Sequence, residues 1–167
     1  MKKVLSILMA VLFFSILPMN VAKAEALTKE QKAQYTAQVK EKKQIIKRKS
    51  TAIKKLELKI DDKGEELGKV LILIFDREMP PSDENLTAIE NKGEAMINSI
   101  EQLVKTKHSI KRLKKEASID VAEENYQQAL NKLEKVIVLQ DTEEEILKAY
   151  DMNLQQFIDL LKSLQLK

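Results

Sequence analysis

The chain of 167 residues has no cysteine, no tryptophan, one histidine, three glycines and three prolines. Without cysteine there is neither a disulfide staple nor a lipoprotein-type anchor. The one histidine, His108, sits among Lys105, Lys107, Lys111 and Arg112, and no Glu-x-x-His pair occurs. Transition-metal sites therefore have almost no ligands, and His108 reads as a surface residue. No Gly-rich phosphate loop and no nucleophile elbow are found. Glu143-Glu144-Glu145 reads as helix-start electrostatics and not as a carboxylate site. No catalytic residue, cofactor or metal is expected, and the chain does not read as an enzyme. Function has to be argued from surfaces.

The first 24 residues resemble an export signal. Lys2-Lys3 form a charged start, Val4 to Leu17 an apolar stretch, and Ala22-Lys23-Ala24 a small-x-small cleavage site. Pro18, Asn20 and Lys23 leave the apolar stretch short of the ~20 residues that a spanning helix needs. Cleavage near Ala24 would make the protein secreted or extracytoplasmic and leave one domain over residues 25–167. The formal charge of +3 belongs entirely to that leader, because Lys2, Lys3 and Lys23 have no acidic counterpart there. The remainder balances at 26 basic and 26 acidic side chains, so nucleic acid is not an expected partner.

Abundant Lys, Glu, Leu, Ile and Gln with few glycines and prolines favour long helices. The expected class is all-α: a long antiparallel, coiled-coil-like helical hairpin with a shorter third helix packed at its base. Thr28 and Gln31 make a capping box for the first helix, about 28–78. A seven-residue apolar series then runs through Val39, Ile46, Ile53, Ile60, Leu67 and Ile74. Its companion positions, Lys42, Lys49 and Lys63 beside Leu56 and Val70, suggest a narrow, wet seam that broadens toward the tip. At ~1.5 Å per residue the helix spans about 75 Å. Pro80-Pro81 stop it, and Ser82 or Asp83 caps the return. The second helix is expected over about 83–140. Ser118 or Asp120 offers a break near 118–120, and Asp141-Thr142 starts a last helix over 142–165. Val70 to Phe75 and Val136 to Leu139 are rich in branched residues, but uninterrupted helical periodicity makes both helix.

Two surfaces follow from this hairpin. With the turn centred on the prolines, Gly68 sits opposite Gly93 and Gly64 lies one turn away, which suggests close backbone approach or a bend, against three unrelated tolerated glycines. At the tip, Leu71 to Phe75 point all round the helix while only Leu86, Ala88 and Ile89 lie opposite. Ile72, Phe75 and Met79 are therefore candidate contacts, for a protein partner, a second copy or a membrane. The second surface is a basic belt. Lys47, Arg48, Lys49, Lys54 and Lys55 come level with Lys107, Lys111, Arg112, Lys114 and Lys115. The belt reads either as a solvated face or as a site for an anionic wall polymer or lipid headgroups.

Leu27-Thr28-Lys29-Glu30-Gln31 resembles the L-T-x-x-Q motif of Spy/CpxP-type exported helical chaperones, and Leu86-Thr87-Ala88-Ile89-Glu90 echoes it with Glu for Gln. That resemblance covers ten residues and implies a client-binding holdase. The leading expectation is an exported, non-enzymatic coiled-coil protein that acts by binding or self-association at the cell envelope. The alternatives are the holdase and a membrane-active protein using the apolar tip.

Overall fold

A computed structural model describes residues 27–75 and 82–165. The leader-like segment, Met79 and the paired prolines lie outside the described residues, as does the side chain of Phe75. The chain divides into two units, Met1–Lys32 and Ala33–Lys167. Every described element is helical: α1 is Lys29–Phe75, α2 Asp83–Ala122 and α3 Tyr126–Gln165, with no strand among the described residues. None of these helices is long and apolar enough to cross a membrane.

In the first unit the capping box forms as its residues require. The Gln31 N–H donates to Thr28 Oγ1 at 3.2 Å, and the Thr28 N–H donates to Gln31 Oε1 at 2.9 Å. Two of the free N–H groups at the helix start are thereby satisfied. In the second unit Ser82 caps α2 by accepting from the Asn85 N–H at 3.4 Å, and Asp83 and Glu84 occupy the first turn.

The break between α2 and α3 falls at Glu123 to Asn125, not near 118–120. Ser118 Oγ bonds back to the Lys114 carbonyl inside the helix, and Asp120 is buried in an ion pair with Lys132 at 2.8 Å. The turn itself is a Schellman motif. Glu124 takes φ 61°, the Asn125 N–H donates to the Asp120 carbonyl, and the Glu124 N–H donates to the Val121 carbonyl. A glutamate occupies the left-handed position that glycine usually fills, so composition offers no signal for it.

The third helix is likewise longer than expected. It has 40 residues, as many as α2, because Asp141 and Thr142 do not start a new helix. Thr142 Oγ1 bonds the Val138 carbonyl, and Glu143 is buried. The same helix passes beside α1 for much of its length. Lys42 pairs with Glu134, Lys49 with Asp141, Lys59 with Asp151 at 2.8 Å and Glu66 with Lys162 at 2.5 Å, so numbers on the two helices rise together. Against α2 they run oppositely: Lys132 meets Glu116 at 3.6 Å and Lys92 meets Gln156. Tyr35 and Tyr126 stack at 5.6 Å near the start of the shared course.

The core is the seven-residue series of three helices meeting in clusters. Val39 and Ile46 join Ile110, Ala117, Leu130, Leu133 and Val136. Ile53 joins Leu103 and Leu147, and Val70 joins Met96, Leu154, Phe157, Ile158 and Leu161. Each buried large side chain contributes about 1.5–3 kcal/mol. Ile46 and Ile110 share the first of these clusters, and Lys115 is exposed. Leu67, Leu71 and Ile74 pack against the cluster that contains Leu161. The end of α3 therefore covers part of the tip, which a short third helix could not reach.

Candidate functional site

Heptad spacing gives α1 two flanks. On the flank toward α3 every core-adjacent lysine meets an acid: Lys42, Lys49, Lys59 and Lys63 are paired with Glu134, Asp141 and Asp151. Burial alone would raise the Asp151 carboxyl, but hydrogen bonds from Lys59 and Lys63 and their charges outweigh it and hold the group below the usual carboxylate range. The flank toward α2 is different. Lys43, Lys47 and Lys54 there, and Lys111 and Lys114 across from them, pair with no carboxylate among the described residues, and only Lys107 finds one, Glu57.

Between these unpaired lysines lies a groove of three successive cavities. One of about 440 Å³ is lined by Ser50, Ile53, Lys54, Glu57, Lys107, Ile110, Lys111, Lys114, Gln140 and Glu143. The next, about 370 Å³, shares Ser50 and Lys114 with it and adds Lys43, Ile46, Lys47, Ser118 and Leu133. The third, about 480 Å³, shares Lys43 and Lys47 with the second and adds Thr36, Val39, Lys40, Gln44 and Val121. Apolar residues of the helix interfaces form the floor, and lysines from α1 and α2 form the rims.

Two polar groups are sunk beneath the lysines. Gln140 occupies a position in the series Leu133, Leu147, Leu154 and Leu161 and is only 2% exposed. Its Nε2 donates to the Ile46 carbonyl at 3.2 Å and to Ser50 Oγ at 2.8 Å. Its Oε1 has no partner, an arrangement that costs about 1–3 kcal/mol when such an acceptor is left without a donor. Glu143, 6% exposed, has its pKa raised, first by burial and then by the Glu57 charge, while Lys107 and Lys114 oppose the rise.

The ten belt residues divide on this geometry. Lys47, Lys54, Lys107, Lys111 and Lys114 come together in the groove. Arg48, Lys55 and Lys115 are exposed and line none of the three cavities, Lys49 is engaged by Asp141, and Arg112 lies 3.7 Å from Glu116. Lys40, Lys43, Ser50 and Gln140 join the site without having been singled out by sequence, and Glu143, read there as helix-start electrostatics, lies mid-helix and buried in the floor. The one available signal was Gln140, a polar residue in a leucine heptad. At the tip, Ile72 is 62% exposed and Leu73 is 57% exposed. Close backbone approach at the glycines is not found: a Cβ built on Gly64, Gly68 or Gly93 meets nothing within 4 Å. Among the described residues no group of three or more potential metal ligands gathers.

No family model, curated protein or solved structure matches the chain. The polar residues of the chaperone-like motif are used locally: Thr28 and Gln31 bond to each other at the start of α1.

Proposed function

We propose that this is an exported, non-enzymatic binding protein whose groove between α1 and α2 takes an anionic ligand at the cell envelope. In this reading α1 and α2 form a long antiparallel, coiled-coil-like hairpin, and α3 is the brace that keeps its arms apart along the groove. The observation that carries the reading is the contrast in pairing. Lysines toward α3 are paired with carboxylates, while Lys43, Lys47, Lys54, Lys111 and Lys114 line the groove without an ion pair, its two carboxylates being Glu57, taken by Lys107, and Glu143, buried in the floor. Like charges concentrated in a cleft with apolar walls raise the local positive potential and attract anions. Export rests on the leader-like first 24 residues.

The test is binding of dextran sulfate by the purified chain as a function of salt. Exposed charges more than ~10 Å apart are largely screened at 0.1 M salt, so affinity falls as salt rises. Lys43→Glu, Lys47→Glu, Lys111→Glu and Lys114→Glu together lower affinity by more than about tenfold, since each lost charge–phosphate-type contact also reduces the salt slope. Lys55→Glu, Lys69→Glu, Lys115→Glu and Lys135→Glu change net charge equally but lie outside the groove and retain most of the binding. Equal losses in the two quadruple variants assign the effect to net charge and sink the groove reading.

A second reading rests on Ile72 and Leu73, which stay exposed although α3 covers their neighbours Leu71 and Ile74. Self-association through this tip predicts that Ile72→Ser with Leu73→Ser lowers the mass measured by light scattering while melting is nearly unchanged. A monomeric wild type, or a collapsed melting curve in the variant, removes it.

A further inference from the structure

All three glycines of the chain fall at heptad positions that continue the walls of the groove. In steps of seven residues, Gly64 follows Glu57, Gly68 follows Lys54, and Gly93 lies two repeats before Lys107. Lys54, Glu57 and Lys107 line the groove, so the glycines continue its walls beyond the lysines. Each stands inside a helix, where glycine is disfavoured against alanine. No contact within the molecule explains them, because a Cβ at any of the three meets nothing within 4 Å. Their absent side chains leave the continuation of the groove clear.

The α2 wall of that continuation is apolar. Val104 and Ile97 repeat the position of Lys111 and are 62% and 57% exposed, and Ile100 repeats that of Lys107 and is 46% exposed. The groove therefore has a cationic half with an apolar floor and an open, glycine-walled half with an apolar flank.

We propose that the occupant is an acidic amphipathic helix of a partner protein, laid along the groove with its apolar stripe inward and its carboxylates toward both lysine rims. This rests on the anionic-ligand reading above and narrows it to one class. Charge complementarity selects it. The unpaired lysines recur over successive turns on both walls, matching anions spread along a helix on both flanks, whereas a lipid presents its anion at one end. A polyanion without apolar groups would meet the lysines but would leave Ile97, Ile100 and Val104 exposed to water. A helix in a groove satisfies both halves at once. From Thr36 to Gly68 the two halves together are about 48 Å long at ~1.5 Å per residue, the length of a helix of about 32 residues. Gln140 lies in the floor of the cationic half, only 2% exposed, with its Nε2 held by the Ile46 carbonyl and Ser50 Oγ.

The test uses the full chain and three probes: a synthetic amphipathic peptide of about 32 residues with a leucine stripe flanked by glutamates, poly-glutamate, and vesicles rich in anionic phospholipid. The peptide is expected to bind at least about tenfold tighter than poly-glutamate of equal charge, and to gain helicity by circular dichroism on binding. Gly64→Leu with Gly93→Leu fills the open half, and loses that advantage while poly-glutamate binding is kept. Should that variant fail to fold, Ile97→Lys with Val104→Lys, both at exposed positions, serves in its place with the same expected loss. Peptide binding that is no tighter than poly-glutamate, or that is unchanged in both variants, overturns the helix proposal and leaves the anion site standing. Tighter binding to the vesicles than to the peptide overturns it in favour of a lipid ligand. Absence of binding to any probe removes both readings.

Discussion

The two flanks of α1 are built from the same residue types yet end in opposite electrostatic states. Toward α3, Lys42, Lys49, Lys59 and Lys63 are absorbed into ion pairs. Toward α2, Lys43, Lys47 and Lys54 face other lysines across an open groove. The difference comes from what each flank meets. The α3 sequence is acidic where α1 passes it, whereas the stretch of α2 from Lys105 to Glu116 carries six basic residues and one acidic residue. A lysine heptad is thus structural or available for a ligand according to the charge of its neighbour, and its own spacing does not distinguish the two.

Cutting the paired flank at its most enclosed point should have the largest effect. Asp151 is 14% exposed and Lys63 is 17% exposed at the side chain, so Asp151→Ala leaves an ammonium with no counter-ion in a poorly hydrated seam. The expected loss is about 2 kcal/mol, between the values for exposed and fully buried pairs, and chemical denaturation measures it. The pH dependence follows from the lowered Asp151 pKa. The folded protein holds this carboxylate ionised below the unfolded value, so its contribution is present above the ordinary carboxylate range and is lost as pH falls through the folded pKa. Asp151→Ala should flatten that acid limb, and an unchanged limb would falsify the assignment.

A smaller contrast separates the flanks directly. Lys49→Glu breaks the pair with Asp141 and places like charges together, costing about 1 kcal/mol. Lys47→Glu, two positions away on the groove side, should change stability by less than about 0.5 kcal/mol, and relief of lysine repulsion gives it a stabilising sign. Equal costs in the two variants would mean that the flanks do not differ.

The third test concerns the floor between them. Glu143 has a raised pKa, so the folded state binds its proton more tightly than the unfolded state does. Stability from this group is present at low pH and falls as pH rises from the unfolded value through the folded one. Glu143→Gln removes that decline, raising the melting temperature at neutral pH and leaving it nearly unchanged at pH 4. Two melting curves decide it, and a loss at neutral pH would show that the carboxylate is held by the lysines after all.

Parts of this arrangement were legible in the chain. The series Val39, Ile46 and Ile53 was visible as spacing because each residue buries the same helix face, and all three are buried. Thr28 with Gln31, and a cap at Ser82 or Asp83, were legible because a cap is settled within four residues; Ser82 takes the second role. The end of α2 was not. Ser118, Asp120 and Thr142 have capping chemistry, but burial of Asp120 and back-bonding of the two hydroxyls use it elsewhere, while the true turn employs Glu124 at a positive φ. Local preference could not reveal that, since the packing of α3 on α2 overrides the cost of a non-glycine residue there.

By itself the sequence determined the helical class, the face that each helix buries and the supply of lysines. Those depend on periodicity and on contacts a few residues apart. Tertiary structure decided which helix each face meets, and with it which lysines gain a carboxylate counter-ion and which do not. It also turned a glutamine in a leucine heptad into a buried side chain that bonds the Ile46 carbonyl and Ser50 Oγ while its Oε1 has no partner. Coulomb and desolvation energies depend on distances between residues far apart in the chain, as with Lys49 and Asp141. A linear pattern does not contain those distances until the helices are brought together.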